Sequence, residues 1–236
     1  MEVIDSISEN KERGEGHCGT CPLRKDILAW FECADARPQV VVVSESPVSR
    51  TEHLGNIEAW RRDILTQCSD KTNAGFVSFR DPSAARYMGE FLGGLTKGRI
   101  YNEADETKTH GLYWTHTVKC FLQNEENKEM PFRTRNGRIG IREMRKSEFK
   151  SAIRECSMYL PAEIQATDPK LVIAVGTSVA GRKLMELKKS GEIRPSLCEV
   201  YHPGARKSKS EKQEKIRALY TRVRALGLTD VIPASE

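Results

Sequence analysis

Four short apolar runs punctuate the chain: QVVVVS at 39–44, GLYWTHTVKCF at 111–121, LVIAVG at 171–176 and SLCEVYHP at 196–203. Each is bounded by Pro, Gly or polar clusters, as buried strands are. Between and after them, apolar residues recur at helical spacing, predicting helices over roughly 55–67, 83–96, 147–166, 177–190 and 209–226. Strands alternating with amphipathic helices predict an α/β fold, a three-layer α/β/α sandwich around a central, mainly parallel four-stranded sheet. In such a sheet, ligands bind beyond the carboxyl ends of the strands. The residues expected there are Ser44, Glu45, Ser46 and Pro47 after the first run and His116 to Cys120 late in the second. Gly176, Thr177 and Ser178 follow the third run, and His202, Pro203 and Gly204 the fourth. A carboxylate and two histidines thus converge on one sheet edge. The GTSVAG loop after the third run lacks the spacing and the lysine of a phosphate-binding loop.

Composition narrows the class. With 236 residues, 38% of them hydrophobic, the chain can fill one core, and no stretch is long and apolar enough for a membrane span. The polar opening MEVIDSISENKERGEGHCG has no apolar core of a signal peptide, so a cytoplasmic location is expected, with residues 1–16 flexible. Net charge is only +5, but basic residues gather in RTRNGRIGIREMRK (133–146) and in the run ARKSKSEKQEK that opens at Ala205. Such runs are often solvated surface; two of them beside candidate site segments fit a polyanion better.

A reducing compartment shifts the seven cysteines from disulfides toward metal or cluster ligation. Cys18 and Cys21 form a C-x2-C pair in HCGTCPLRK, and Cys120 and Cys156 occupy positions suited to ligands. Spacing alone leaves zinc and an iron-sulfur cluster both open, with His17 and Cys33 as further candidate ligands.

The ordered motifs CGTCPLRK, VVVVSESP, YWTHTVKC, CSMYLPAEIQATDPKLVIAVG and YHPGA resemble those of the iron-sulfur uracil-DNA glycosylases, the family 4 and 5 branch of that superfamily. The resemblance implies a 4Fe-4S cluster on Cys18, Cys21, Cys120 and Cys156. It also implies a DNA glycosylase that flips a damaged or modified base, uracil or another modified base, out of DNA and hydrolyses its N-glycosidic bond. Glu45 would position or activate water or stabilise the cationic sugar, and His202 would hydrogen-bond the leaving base. Ser44, Ser46, Pro47 and His116 would line the base, and Arg206, Lys207 and Lys209 would meet DNA phosphates. The expected form is a monomer with a single domain over residues 1–236, no membrane partner, and a basic insertion at 121–147.

Three motifs depart from the family pattern. The first motif reads S-E-S-P-V instead of G-E-x-P-G, the last H-P-G instead of H-P-S, and His116 stands where an asparagine reads uracil. Phe76 and Phe79 in GFVSF are weak candidates for the aromatic residue that stacks on the base. These changes and the insertion would suit a substrate other than plain uracil, such as a deaminated purine or a bulky modified pyrimidine. Two alternatives remain: a glycosylase acting on modified phage bases in antiviral defence, and a catalytically inactive DNA-binding protein of the same fold.

Overall fold

The computed structural model describes residues 2–23, 27–35, 37–47, 56–69, 107–121, 146–202 and 205–232. The segments predicted to hold the 83–96 helix, Phe76 and Phe79, and almost all of the 121–147 insertion lie outside the described residues.

Helices α1 (Glu2–Arg13) and α2 (Gly16–Gly19) open the chain, followed by the two-residue strands β1 (Ile27–Leu28) and β2 (Glu32–Cys33). Strand β3 (Val40–Ser44) and helix α3 (Ile57–Ser69) come next, then β4 (Lys108–Thr109), β5 (Leu112–His116) and β6 (Cys120–Phe121). Helix α4 (Lys146–Cys156) runs through a 3-10 turn (Ser157–Tyr159) into α5 (Leu160–Thr167). Strand β7 (Leu171–Val175), α6 (Ala180–Lys189), β8 (Ser196–Val200) and α7 (Lys209–Ala225) complete the order. The main sheet has the order β5-β3-β7-β8 with every pairing parallel. The α/β reading of the sequence is thereby met.

Alternation along each strand divides the core. Val40, Val42, Leu112, Trp114, Leu171, Ile173 and Val175 point to one face, where Trp60 and Leu65 of α3 and Ile216, Leu219, Tyr220 and Val223 of α7 cover them. Val41, Val43, Tyr113, Val172 and Ala174 point to the other, against Leu160 and Ile164 of α5 and Ala180, Leu184 and Leu187 of α6. Both faces are dry, which is why these strands read as continuous apolar runs. Gly176, directly after β7, has φ +103°, a conformation that strongly favours glycine, and Gly181 lies so close to the Gly176 carbonyl that a Cβ would stand 2.8 Å from that oxygen. The GTSVAG glycines therefore make a tight strand-to-helix turn.

Three expectations are corrected. The second apolar run is two strands: β5 stops at His116, residues 117–119 bend away, and Cys120–Phe121 pair antiparallel with Ile27–Leu28. The predicted 147–166 helix is broken, because Pro161 at the start of α5 has no amide to continue the ladder, and the 3-10 turn absorbs the break. Residues 2–13, expected to be flexible, form α1, whose Ile4 and Ile7 are buried against Cys18, Cys21, Leu28, Val118, Cys120 and Cys156. Helical spacing of Ile4 and Ile7 gives α1 one apolar edge, and that edge docks on the cysteine module.

Removing the Ile7 anchor should therefore be felt globally. Ile7→Ala is expected to lower unfolding stability by about 2–5 kcal/mol in urea titrations; an unchanged midpoint would show that α1 is not part of the core.

Candidate active site and thiol site

The parallel register brings Ser44 of β3 opposite His116 of β5. Past the strand ends, the pairing continues into the loops: Thr117 donates its amide to the Ser44 carbonyl at 2.8 Å and Val118 to the Glu45 carbonyl at 2.9 Å. Glu45 thus follows β3 in a loop braced by the β5 exit. Its side chain is half-buried, and burial raises its pKa above the ordinary carboxylate value. Pro47 is buried and Ser46 half-buried beside it.

The Ser44 hydroxyl accepts from the Trp114 indole Nε1 at 3.1 Å, which ties the end of β3 to β5. His116 is 2% exposed and its Nδ1 has no hydrogen-bond partner among the described residues. Burial, then the nearby Lys119 cation, lower its pKa to about 3, so the ring is neutral at physiological pH. It sits beside an aromatic stack: Phe31 lies 4.6 Å from Trp60 and 4.8 Å from Trp114, and both Phe31 and Trp60 have ring centres 6.1 Å from His116. Phe31 and Trp60 were not anticipated; their signal in the sequence was only that of ordinary core aromatics.

His202 follows β8, two strands from β3. A Cβ on Gly176 would lie 3.6 Å from that of His202, so the bare glycine leaves the histidine room beside the β7 exit. His202 is open to solvent at its surface, yet enough protein surrounds the ring to lower its pKa, with Lys212 adding to the effect. Glu45, His116 and His202 accordingly share the carboxyl edge of one sheet, although His116 is far more deeply buried than the other two. Arg206, Lys207 and Lys209 are exposed at and before the start of α7. Lys207 is not idle: it pairs with Glu211 at 2.9 Å and lies 5.4 Å from the Tyr201 ring centre. Glu211 also closes a capping box with Ser208, fixing where α7 begins.

The four cysteines expected as ligands come together from three segments. Cys18, Cys21, Cys120 and Cys156 are all buried in one cluster with Ile4, Ile7, Leu23, Leu28, Val118 and Ala152. Cys21 hydrogen-bonds Cys156, which lowers the Cys156 thiol to about 7, helped by the Lys119 amide; the same bond raises Cys21. Burial raises Cys18, against a 3.4 Å hydrogen bond with the Tyr159 hydroxyl. Of the alternative ligands, Cys33 donates to the Leu112 carbonyl at 3.3 Å and packs in a different core cluster, while His17 Nδ1 lies 3.5 Å from Glu155 and its ring packs on Tyr159, beside Cys18. Among the described residues, no group of three or more His, Cys, Asp or Glu side chains is arranged to hold a metal ion.

Two further buried polar residues were not assigned a role from sequence. Lys119 and Glu163 form an ion pair with 2% and 1% side-chain exposure, and Glu163 also accepts from the Tyr113 hydroxyl at 2.9 Å and the Thr115 hydroxyl at 3.1 Å.

Residues 31–224 match the model of the family described as the Uracil DNA glycosylase superfamily. A comparison with curated proteins finds no match.

The His116 environment carries a signed pH dependence. A folded pKa of about 3 against 6.5 means the unfolded chain binds the extra proton between those values, so this stability is complete above pH 6.5 and is lost as pH falls toward 3. His116→Asn is expected to remove up to ~1.4 kcal/mol per pH unit of that slope, measured by urea unfolding at pH 7, 6 and 5. Identical pH profiles for the two proteins would contradict a buried neutral ring.

Proposed function

The chain belongs to the uracil-DNA glycosylase superfamily, whose members act on DNA, and from that premise we propose that it excises a modified base through Glu45 and His202. What supports the reading is the convergence of these two residues on the carboxyl edge of a parallel sheet, where such folds bind ligands.

Hydrolysis of the glycosidic bond breaks C1′–N with its electron pair leaving on the base, while water forms a new C1′–O bond and gives up a proton. A half-buried carboxylate with a raised pKa is a stronger base than an exposed one and can take that proton, and its charge steadies the cationic sugar. A neutral imidazole N–H at His202 donates to the oxygen on which the leaving base gathers charge. The lowered His202 pKa keeps the imidazole neutral to lower pH than an ordinary histidine. Arg206 and Lys209, exposed beside this edge, supply phosphate contacts, and Lys207 joins them when it leaves Glu211.

Base choice is assigned to His116. A neutral imidazole presents one donor and one acceptor on opposite sides of a ring, whereas an asparagine amide offers both on one edge. That difference would suit a base other than plain uracil, such as a deaminated purine or a modified cytosine, including modified bases of phage DNA.

The thiol quartet fits a 4Fe-4S cluster. All four donors are sulfur, they are shielded by apolar residues, and the Lys119 amide faces Cys156 as amides face cluster ligands. Cys18, Cys21, Cys120 and Cys156 would hold it, and when bound it would supply a covalent tie between the amino-terminal module, the β5 exit and α4.

Excision assays on oligonucleotides carrying uracil, hypoxanthine, xanthine and modified cytosines, single- and double-stranded, test this reading. Glu45→Gln and His202→Ala should each slow excision by about 10²–10⁴-fold, and Glu45→Gln should flatten the acid limb of the pH profile. No excision by the wild type would leave the inactive DNA-binding reading standing, and full activity in both variants would overturn the assigned roles. Purified protein should be brown and contain iron and acid-labile sulfide, and Cys156→Ser should lose both; zinc with no colour would refute the cluster.

A further inference from the structure

We propose that Lys119 and Glu163 are a positioning pair that fixes His116 for base selection, an assignment that rests on the glycosylase reading. The Lys119 ammonium has three donors, and each has an acceptor: the Glu163 carboxylate, the Thr115 hydroxyl at 3.1 Å and the His116 backbone carbonyl at 2.9 Å. Glu163 in turn spends its other oxygen on Tyr113 and Thr115. A buried ion pair gains little stability over apolar residues of the same size, because desolvation offsets its attraction. Its effect here is geometric.

The geometry is specific to His116. The ring nitrogen Nδ1 has no partner among the described residues, so no hydrogen bond at that atom sets the imidazole orientation. What holds the residue, apart from the strand ladder and the contacts with Phe31 and Trp60, is the bond from its carbonyl to Lys119 Nζ. That carbonyl lies where β5 ends and the chain bends. The pair therefore ties the last residue of β5 to α5 on the opposite face of the sheet, and sets where the His116 side chain enters the aromatic face. Lys119 also receives the Ala29 amide on its own carbonyl at 2.8 Å, which seats the bend against the end of β1. Lys119 and Glu163 touch no substrate in this scheme; they act through His116.

The test uses the full chain with both charges removed together, Lys119→Met with Glu163→Gln, so that neither is left buried alone. Thermal stability should stay within a few degrees, while the ratio of kcat/KM for the preferred base over the next falls about tenfold. Adding His116→Ala should cost no further selectivity, because the pair works through that residue. Additive losses, or an unchanged ratio, would overturn the proposal. Carbon-13 NMR of labelled histidines gives a readout without catalysis: His116 should show one resonance in the wild type and a shifted or doubled one in the double variant, with His17 unchanged. If the wild type excises no base, the glycosylase reading fails and this spectrum decides the pair alone, an unaltered His116 signal refuting it. If the double variant does not fold, Tyr113→Phe, which removes one hydrogen bond from Glu163 and no charge, should shift His116 and base choice in the same direction to a smaller extent; no shift there would also refute the proposal.

Discussion

The exit of β5 is the constraint on which the candidate site depends. In residues 117–119 the chain must leave a parallel sheet, pass behind the loop that carries Glu45, and reach the cysteine module. Two amides, from Thr117 and Val118, are given to the carbonyls of Ser44 and Glu45, so the exits of β3 and β5 are one braced unit. A shift in either loop breaks hydrogen bonds in the other. Glu45 is held by this mutual bracing, and Val118, fully buried in the cysteine module, links the brace to the thiols.

Alternation then sorts the polar residues of β5 onto different sides. Trp114 and His116 face α3, where the indole finds Ser44 and the imidazole meets Phe31 and Trp60. Tyr113 and Thr115 face α5, where both hydroxyls reach Glu163. One strand therefore carries a neutral imidazole on one face and a charged, fully bonded network on the other. The charge is kept off the aromatic side, yet close enough to disfavour a second positive charge on His116.

Much of this was legible in the residues. The apolar runs located all four strands of the main sheet, and the ends of the helices at 209–226 and 177–190 were read to within a few residues. Boundaries failed where tertiary contacts decide. The run 111–121 has no breaker inside it, and its division at His116 comes from the pull of Cys120 and Phe121 toward Ile27 and Leu28. The short, polar α1 carries few apolar residues, and it is held by docking, which propensity does not encode. Lys119 stood out as a charge in a strand, but its partner Glu163 lies 44 residues away on a helix, beyond any local pattern. The cysteine quartet came from ordered motifs; spacing alone left His17 and Cys33 in contention, and in the folded chain Cys33 packs in a different core cluster from the four thiols.

The unpaired nitrogen of His116 gives the site its chemical direction. A buried polar atom without a partner costs about 1–3 kcal/mol, and burial of Lys119 is tolerated here only because each of its donors is matched. The same region thus holds one polar group saturated with partners and, on the other face of the strand, one left open. Packing alone would favour an apolar residue beside Phe31, Trp60 and Trp114, because it would carry no desolvation penalty. A neutral histidine whose Nδ1 lacks a partner among the described residues would be stabilised by a ligand that brings one, and the flipped base of the proposed reaction would have both a flat face to meet aromatic rings and a polar edge to meet the nitrogen.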